Sequence, residues 1–165
     1  MQARDPAQEI TALYQAHALG FVKLAVVMTG DQSAAEDIVQ DAFLGLYRRW
    51  DSLRDHALAV SYVRSSVLNG CRGVLRRRSR RIPPGLLEPD AESAEARVLL
   101  GEEHREVLRA LRRLPHRQRE AVVLRYCLGL PETQVAEAMD VTRGTVKSAT
   151  FRGIAALAKI LKEDQ

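Results

Sequence analysis

Six side chains near the C-terminus, Arg143, Thr145, Lys147, Ser148, Phe151 and Arg152, make an inventory suited to reading duplex DNA. Lysine and arginine bond phosphates or guanine edges, serine and threonine make short hydrogen bonds, and a thymine methyl is an apolar target for an aromatic ring. On a helical wheel Phe151 falls beside Thr145, Ser148 and Arg152 and away from Val146, Gly153, Ile154 and Leu157. A second set is a basic run: Arg64, Arg72, Arg76, Arg77, Arg78, Arg80 and Arg81 lie in a stretch that holds no acid. Such a block suits a polyanion, nucleic acid before membrane, although a solvated helix end has the same composition. A third set is Asp37, Gln40, Asp41, Leu44 and Arg48, which share a helix face opposite Ile38, Val39, Ala42, Phe43, Leu46 and Trp50. A leucine framed by two acids and a glutamine can anchor a partner helix, and the pattern alone fits an idle surface leucine equally well.

Little else in the chain points to chemistry of its own. His17, His56, His104 and His116 are scattered, and no nucleophile has a base at a useful spacing. Cys71 and Cys127 are far apart and lack a ligand-like neighbour, so neither zinc nor a disulfide framework is indicated. No cofactor, no metal and no enzymatic activity are therefore expected. The N-terminus lacks a signal-peptide pattern, and no apolar run approaches the roughly 20 residues of a membrane span, so a cytoplasmic chain without membrane insertion is expected.

These residues need elements to hold them, and the periodicity is helical throughout. With 46% apolar residues in 165, the chain can build one medium or two small cores, and its net charge of +4 hides an uneven distribution. Asp5, Pro6 and Gln8 read as a helix start whose apolar series runs to Gly30. Ser33 with Glu36 reads as a second capping box, opening a helix to about Trp50. A third helix is expected over about 56–78, with a break or bend near Asn69 and Gly70. Pro83, Pro84, Gly85 and Pro89, followed by acids, forbid a continuous helix and read as a linker. Beyond it, Val107, Leu108, Leu111 and Leu114 end at Pro115, and Ala121, Val122, Leu124 and Tyr126 carry a helix toward Gly129. Shorter helices follow over about 131–139 and 142–161. Small Ala136, a turn at Asp140 and Val141, and buried Val146 have helix-turn-helix spacing, with Asp140 where glycine is usual. The expected architecture is all-α: two small helical domains, 1–81 and 101–165, joined by a flexible linker over 82–100.

The stretch "DIVQDAFLGLYRRW" resembles region 2.2 of bacterial sigma factors, the helix that binds the β′ coiled coil of RNA polymerase. The stretch "LPHRQREAVVLRYCLGLPETQVAEAMDVTRGTVKSATFRGIAAL" is similar to sigma region 4, which reads the −35 element. Their order, the short chain and the linker in place of region 3 resemble an extracytoplasmic-function (ECF) sigma factor of the sigma-70 family, in the style of the small actinobacterial SigE-like group. The likeness covers nearly the whole chain. It implies that Asp37, Gln40, Asp41, Phe43, Leu44 and Tyr47 contribute to the polymerase-binding helix, although the wheel puts Phe43 on the core side. It gives "SYVRSSVLNGCRGVLRRRSRR" the part of regions 2.3 and 2.4, with Ser65, Ser66, Val67, Leu68 and Asn69 as a specificity loop at the −10 element and Arg72, Arg76, Arg77 and the following arginines on phosphates. "SSVLNGC" departs from the more aromatic stretch common there. Arg143, Thr145, Lys147, Ser148, Phe151 and Arg152 would face the −35 element.

The implied partners are core RNA polymerase, through its β′ coiled coil and β flap, promoter DNA and an anti-sigma factor. The implied function is transcription initiation at specific promoters. One rival is a stand-alone helix-turn-helix regulator, which leaves Asp37, Gln40, Asp41 and Leu44 idle and lacks a heptad seam for dimerisation. Another is a helical adaptor, which leaves the arginine block unexplained.

Overall fold

In a computed structural model, which describes residues 5–81 and 94–165, the chain forms two separate units that divide after Arg81. Among the described residues all regular structure is helical. The prolines and Gly85 of the expected linker lie outside those residues.

The first unit holds three long helices, α1 (Pro6–Thr29), α2 (Gln32–Arg49) and α3 (Ala59–Arg81). Asp5 caps α1 by accepting from Ala7 N at 3.1 Å, with Pro6 in the first turn, where its missing N–H costs nothing. Gly30 ends the helix at φ 71°, a left-handed turn that lets its N–H reach Val26 O. The cap of α2 differs from the expected Ser33–Glu36 box. Asp31 takes that place, accepting from Ala34 N at 3.1 Å, and Glu36 instead accepts from Gln32 Nε2 at 2.9 Å. Two residues separate α1 from α2, so the first side chain able to reach the free N–H groups is Asp31.

Short 3-10 turns at Trp50–Ser52 and His56–Leu58 connect α2 to α3. The buried Trp50 ring, stacked on His56 at 4.1 Å, fills that corner. No break occurs near Asn69 and Gly70, where α3 runs straight through. A Cβ on Gly70 would meet Ile38 Cγ2 at 2.7 Å, so the glycine serves a close crossing of α2 and α3 and not a bend. Met28, Leu46, Val39, Val63, Val67 and Leu68 fill the centre, each burial worth roughly 1.5–3 kcal/mol.

No apolar run is expected from the sequence to approach a membrane span, yet an 18-residue window of α1 has a mean hydropathy of 1.4, enough by length and composition to cross one. A third of that window is buried, chiefly Phe21 and Leu24 to Met28, which pack in the bundle with α2 and α3.

The second unit contains α4 (Ala94–Leu100), α5 (Arg105–Arg113), α6 (His116–Val122), α7 (Glu132–Met139) and α8 (Arg143–Glu163). The expected linker over 82–100 is therefore helical in its last seven residues. Arg119, itself buried, ties the α5–α6 turn by donating from Nε to Leu111 O at 3.2 Å and from Nη2 to Arg112 O at 2.8 Å and Leu114 O at 3.3 Å. Leu111 O is shared with Leu114 N at 3.1 Å, and Arg112 O and Leu114 O lie past the last intrahelical bond of α5, where carbonyls lack helical partners.

A π-helical turn, Val123–Cys127, continues α6, closed by Leu128 N on Val123 O. The wider turn rotates Tyr126, which an uninterrupted α-helix would have placed with the core set, to 62% exposure. On α8, Gly153 lets the helix lie against α6: a Cβ there would come within 2.6 Å of Val122 Cγ2 and 3.2 Å of Gln118 O.

Candidate nucleic-acid and partner-binding surfaces

On α2 the structure separates the expected contact residues into two groups. Asp37, Gln40, Asp41, Leu44 and Tyr47 are exposed, with Leu44 at 51% and Tyr47 at 56%. Phe43 is largely buried, its ring 5.0 Å from Tyr14 in an edge-on pair and 6.4 Å from Phe21, so it holds α2 to α1 and contributes only an edge to the floor of the adjacent groove. A groove of about 540 Å³ runs beside the exposed set, lined by Ile10, Thr11, Tyr14, Gln40, Leu44 and Tyr47 among others. Ile10, Thr11 and Tyr14 lie outside the contact set expected from sequence; their spacing is helical, but only the packing of α1 on α2 aligns them with Leu44.

On α3 the expected loop over 65–69 is helix. Val67 and Leu68 are fully buried in the bundle, where they serve as packing residues and present no surface to a base. Ser65 and Ser66 are half-buried, and Asn69 is exposed and accepts from Arg72 Nη1 at 2.7 Å. Burial pushes the Arg64 guanidinium pKa below its ordinary value through desolvation. Arg76, Arg77, Arg80 and Arg81 stand in solvent at the C-terminal end of α3. Arg78 leaves the series: it donates to Thr29 O and to Asp31 Oδ2, pinning α3 to the α1–α2 corner.

The helix-turn-helix is formed by α7, the turn at Asp140 and α8. Asp140 adopts φ 54°, ψ 50°, the left-handed conformation that glycine takes at lower cost, and Val141 N bonds Ala136 O at 3.0 Å to close the turn. Thr142 caps α8 through Thr145 N at 3.1 Å. The Thr145 hydroxyl lies 2.9 Å from that of Thr142, so it is already engaged in the cap. Val146 is buried, while Arg143, Thr145, Lys147, Ser148, Phe151 and Arg152 are all exposed, Phe151 at 78%.

Ile154, on the Val146 side of the wheel, is 40% exposed, and with Tyr126, Thr150 and Phe151 it lines a groove of about 410 Å³. Arg125, 5.9 Å from the Tyr126 ring centre, Lys147 and Glu132 complete the lining. Sequence periodicity missed this groove because the π-helical turn decides where Tyr126 points. Cys71 is buried and Cys127 exposed, and among the described residues no group of three His, Cys, Asp or Glu is placed to hold a metal ion.

Two basic or apolar-centred faces on separate helical units form a pattern that comparison with known proteins identifies. Residues 13–81 match the family described as Sigma-70 region 2, and residues 104–157 match Sigma-70, region 4. The chain is 35% identical over 149 residues to the ECF RNA polymerase sigma factor SigM of Mycobacterium tuberculosis, covering 90% of this chain and 75% of the relative. It is 31% identical over 138 residues to the RNA polymerase sigma-E factor of Streptomyces avermitilis, covering 80% and 73%. Its fold is shared with the sigma factor RpoE of Bartonella quintana, solved in complex with the anti-sigma factor NepR, at a TM-score of 0.70 and 22% identity over 99% of this chain and all of the other. The chain belongs to the sigma-70 family as an ECF sigma factor, a non-enzymatic initiation factor that directs RNA polymerase to promoters.

Proposed function

We propose that the two units divide the work of promoter selection. The exposed face of α2, centred on Leu44 with Asp37, Gln40, Asp41 and Tyr47, holds the β′ coiled coil of core polymerase. The exposed face of α8 enters the major groove of the −35 element. Along α3, Ser65, Ser66, Asn69, Arg72, Arg76 and Arg77 engage the −10 element, with the arginines on phosphates of the opened strands. Opening costs about 1.4 kcal/mol of stacking per step, which these contacts and capture of extruded bases offset.

The observation that carries this reading is the exposure of Leu44 and Phe151, each an apolar side chain framed by charged or polar neighbours on a separate unit. Burying such side chains against water is what a permanent core would do; leaving them out fits surfaces completed by a partner. The second unit also meets the β flap, the whole acts in the cytoplasm beside the polymerase, and an anti-sigma factor holds it inactive by covering both units. The complex of the structurally similar RpoE with the anti-sigma factor NepR supports a partner of that class.

Reconstitution with core polymerase tests the division. Leu44→Asp is expected to abolish stable core binding with folding intact, and Lys147→Ala to keep core binding but weaken use of promoters selected from a randomised library. Unchanged core affinity in Leu44→Asp would place the polymerase contact elsewhere.

A further inference from the structure

Glu132 is an acid built into a face that otherwise reads as cationic. It is the first residue of α7, where a carboxylate is favoured by the helix dipole, and that dipole alone would account for an exposed acid. This one is not simply exposed. Its Oε2 is closed off from solvent and accepts no hydrogen bond, and it faces Arg143 Nη2 at 3.9 Å and Lys147 Nζ at 4.0 Å. Both cations belong to α8, both side chains are 64% exposed, and Lys147 shares with Glu132 the groove beside Phe151. The Glu132 side chain is 30% exposed with Oε2 turned inward at the start of α7, and the two cations reach toward it from the surface of α8 at distances too long for direct hydrogen bonds.

We infer that Glu132 is a positioning residue for promoter discrimination, a fixed counter-charge that sets what Lys147 and Arg143 can bind on DNA. The inference rests on the assignment of α8 to the −35 element. A cation next to a fixed carboxylate meets two kinds of acceptor on a duplex. A guanine edge offers O6 and N7, which carry only partial charge, so a lysine can bond them with the carboxylate still behind it. A phosphate carries a full negative charge, and it must compete with Glu132 for the same ammonium or guanidinium while being repelled by it. On a matching sequence the base-edge contact is available and the penalty is small. On any other sequence only phosphate contacts remain, and the penalty is felt in full. The acid thus weakens sequence-independent binding more than it weakens binding to the correct element.

The test uses the full chain bound to core polymerase and two duplex probes. One carries a −35 element enriched from a randomised library by the unaltered holoenzyme, and the other is a scrambled duplex of equal length. Affinities are measured over a series of salt concentrations for Glu132→Gln, Lys147→Ala and the double variant. Glu132→Gln keeps the shape and removes the charge. It is expected to tighten binding to the scrambled duplex about three- to tenfold while changing the selected duplex little, so that the ratio between them falls. The salt dependence on the scrambled duplex should steepen by roughly 0.9 for each cation newly placed on a phosphate.

In the double variant the steepening should shrink, because Lys147 is no longer there to be released. A purely structural role for Glu132 would alter the thermal midpoint and leave the salt slope alone. If Lys147→Ala weakens the selected duplex but Glu132→Gln changes neither ratio nor slope, the inference is overturned and the −35 assignment stands. If Lys147→Ala and Phe151→Ala both leave the selected duplex unaffected, the −35 assignment fails, and the inference falls with it.

Discussion

Truncating Phe151 to alanine separates a DNA-facing ring from a core ring. The side chain is 78% exposed, so folding removes only about a fifth of its surface from water. For a ring of about 200 Å² that is some 45 Å², worth roughly 1 kcal/mol at 25 cal/mol per Å². Alanine returns about 0.5 kcal/mol through its better helix propensity. Phe151→Ala should therefore lower stability by no more than about 0.5–1 kcal/mol, measured by urea unfolding of the second unit's signal in the full chain.

The effect on promoter use should be larger than that. Loss of an apolar contact to a thymine methyl is expected to cost about 1–2 kcal/mol, or roughly 5- to 30-fold in affinity of the holoenzyme for its selected −35 duplex. Core binding should be unchanged, since Phe151 and the α2 face lie on different units. Replacing each thymine of the −35 element in turn by deoxyuridine removes only the methyl group. At one position this should weaken the unaltered protein and leave Phe151→Ala indifferent. A stability loss above about 2 kcal/mol would show that the ring is structural. Intact folding with undiminished −35 affinity would show that it does not touch DNA.

Two further substitutions test the packing that holds this face in place. Gly153→Ala puts a methyl 2.6 Å from Val122 Cγ2 and 3.2 Å from the Gln118 carbonyl, so overpacking of about 1–3 kcal/mol should outweigh the roughly 1 kcal/mol that alanine gains in a helix. Thermal unfolding should show a net loss that Val122→Ala in the same chain partly relieves, and a gain in stability would refute the close crossing. Arg119→Met removes the donors to Arg112 O and Leu114 O and should cost about 2–3 kcal/mol in chemical unfolding. Arg119→Lys should rescue little of it, because one ammonium cannot span both carbonyls.

Much of this was legible in the chain itself because the signals are local. The Asp5–Pro6 start, the Gly30 stop and a turn at Asp140 each depend on a few neighbouring residues, and each is found. The exposed faces followed from helical period: Asp37, Gln40, Asp41 and Leu44 on α2, and Lys147, Ser148, Phe151 and Arg152 on α8. The misreadings share another cause. Ser33 lost the cap to Asp31 because a two-residue connection brings the acid first. Gly70 looked like a bend and is a crossing point, since a glycine's function depends on what faces it, here Ile38. Val67 and Leu68 went from specificity loop to core once α3 ran unbroken through them.

The amino-acid sequence alone determined the all-helical class, the two units in order, and the faces that carry charge or a lone apolar group, because period, caps and composition are properties of short segments. Only the tertiary structure decided which of those residues meet. It packed Phe43 against Tyr14 at the floor of the groove beside Leu44, and drew Arg78 out of the exposed arginine series to bind Thr29 and Asp31. It turned Tyr126 outward through a π-helical turn and brought Glu132 under Arg143 and Lys147. Apart from the π-helical turn, a local irregularity in one helix, these are contacts between elements, set by crossing angle and rotation, and no spacing along a single helix encodes them.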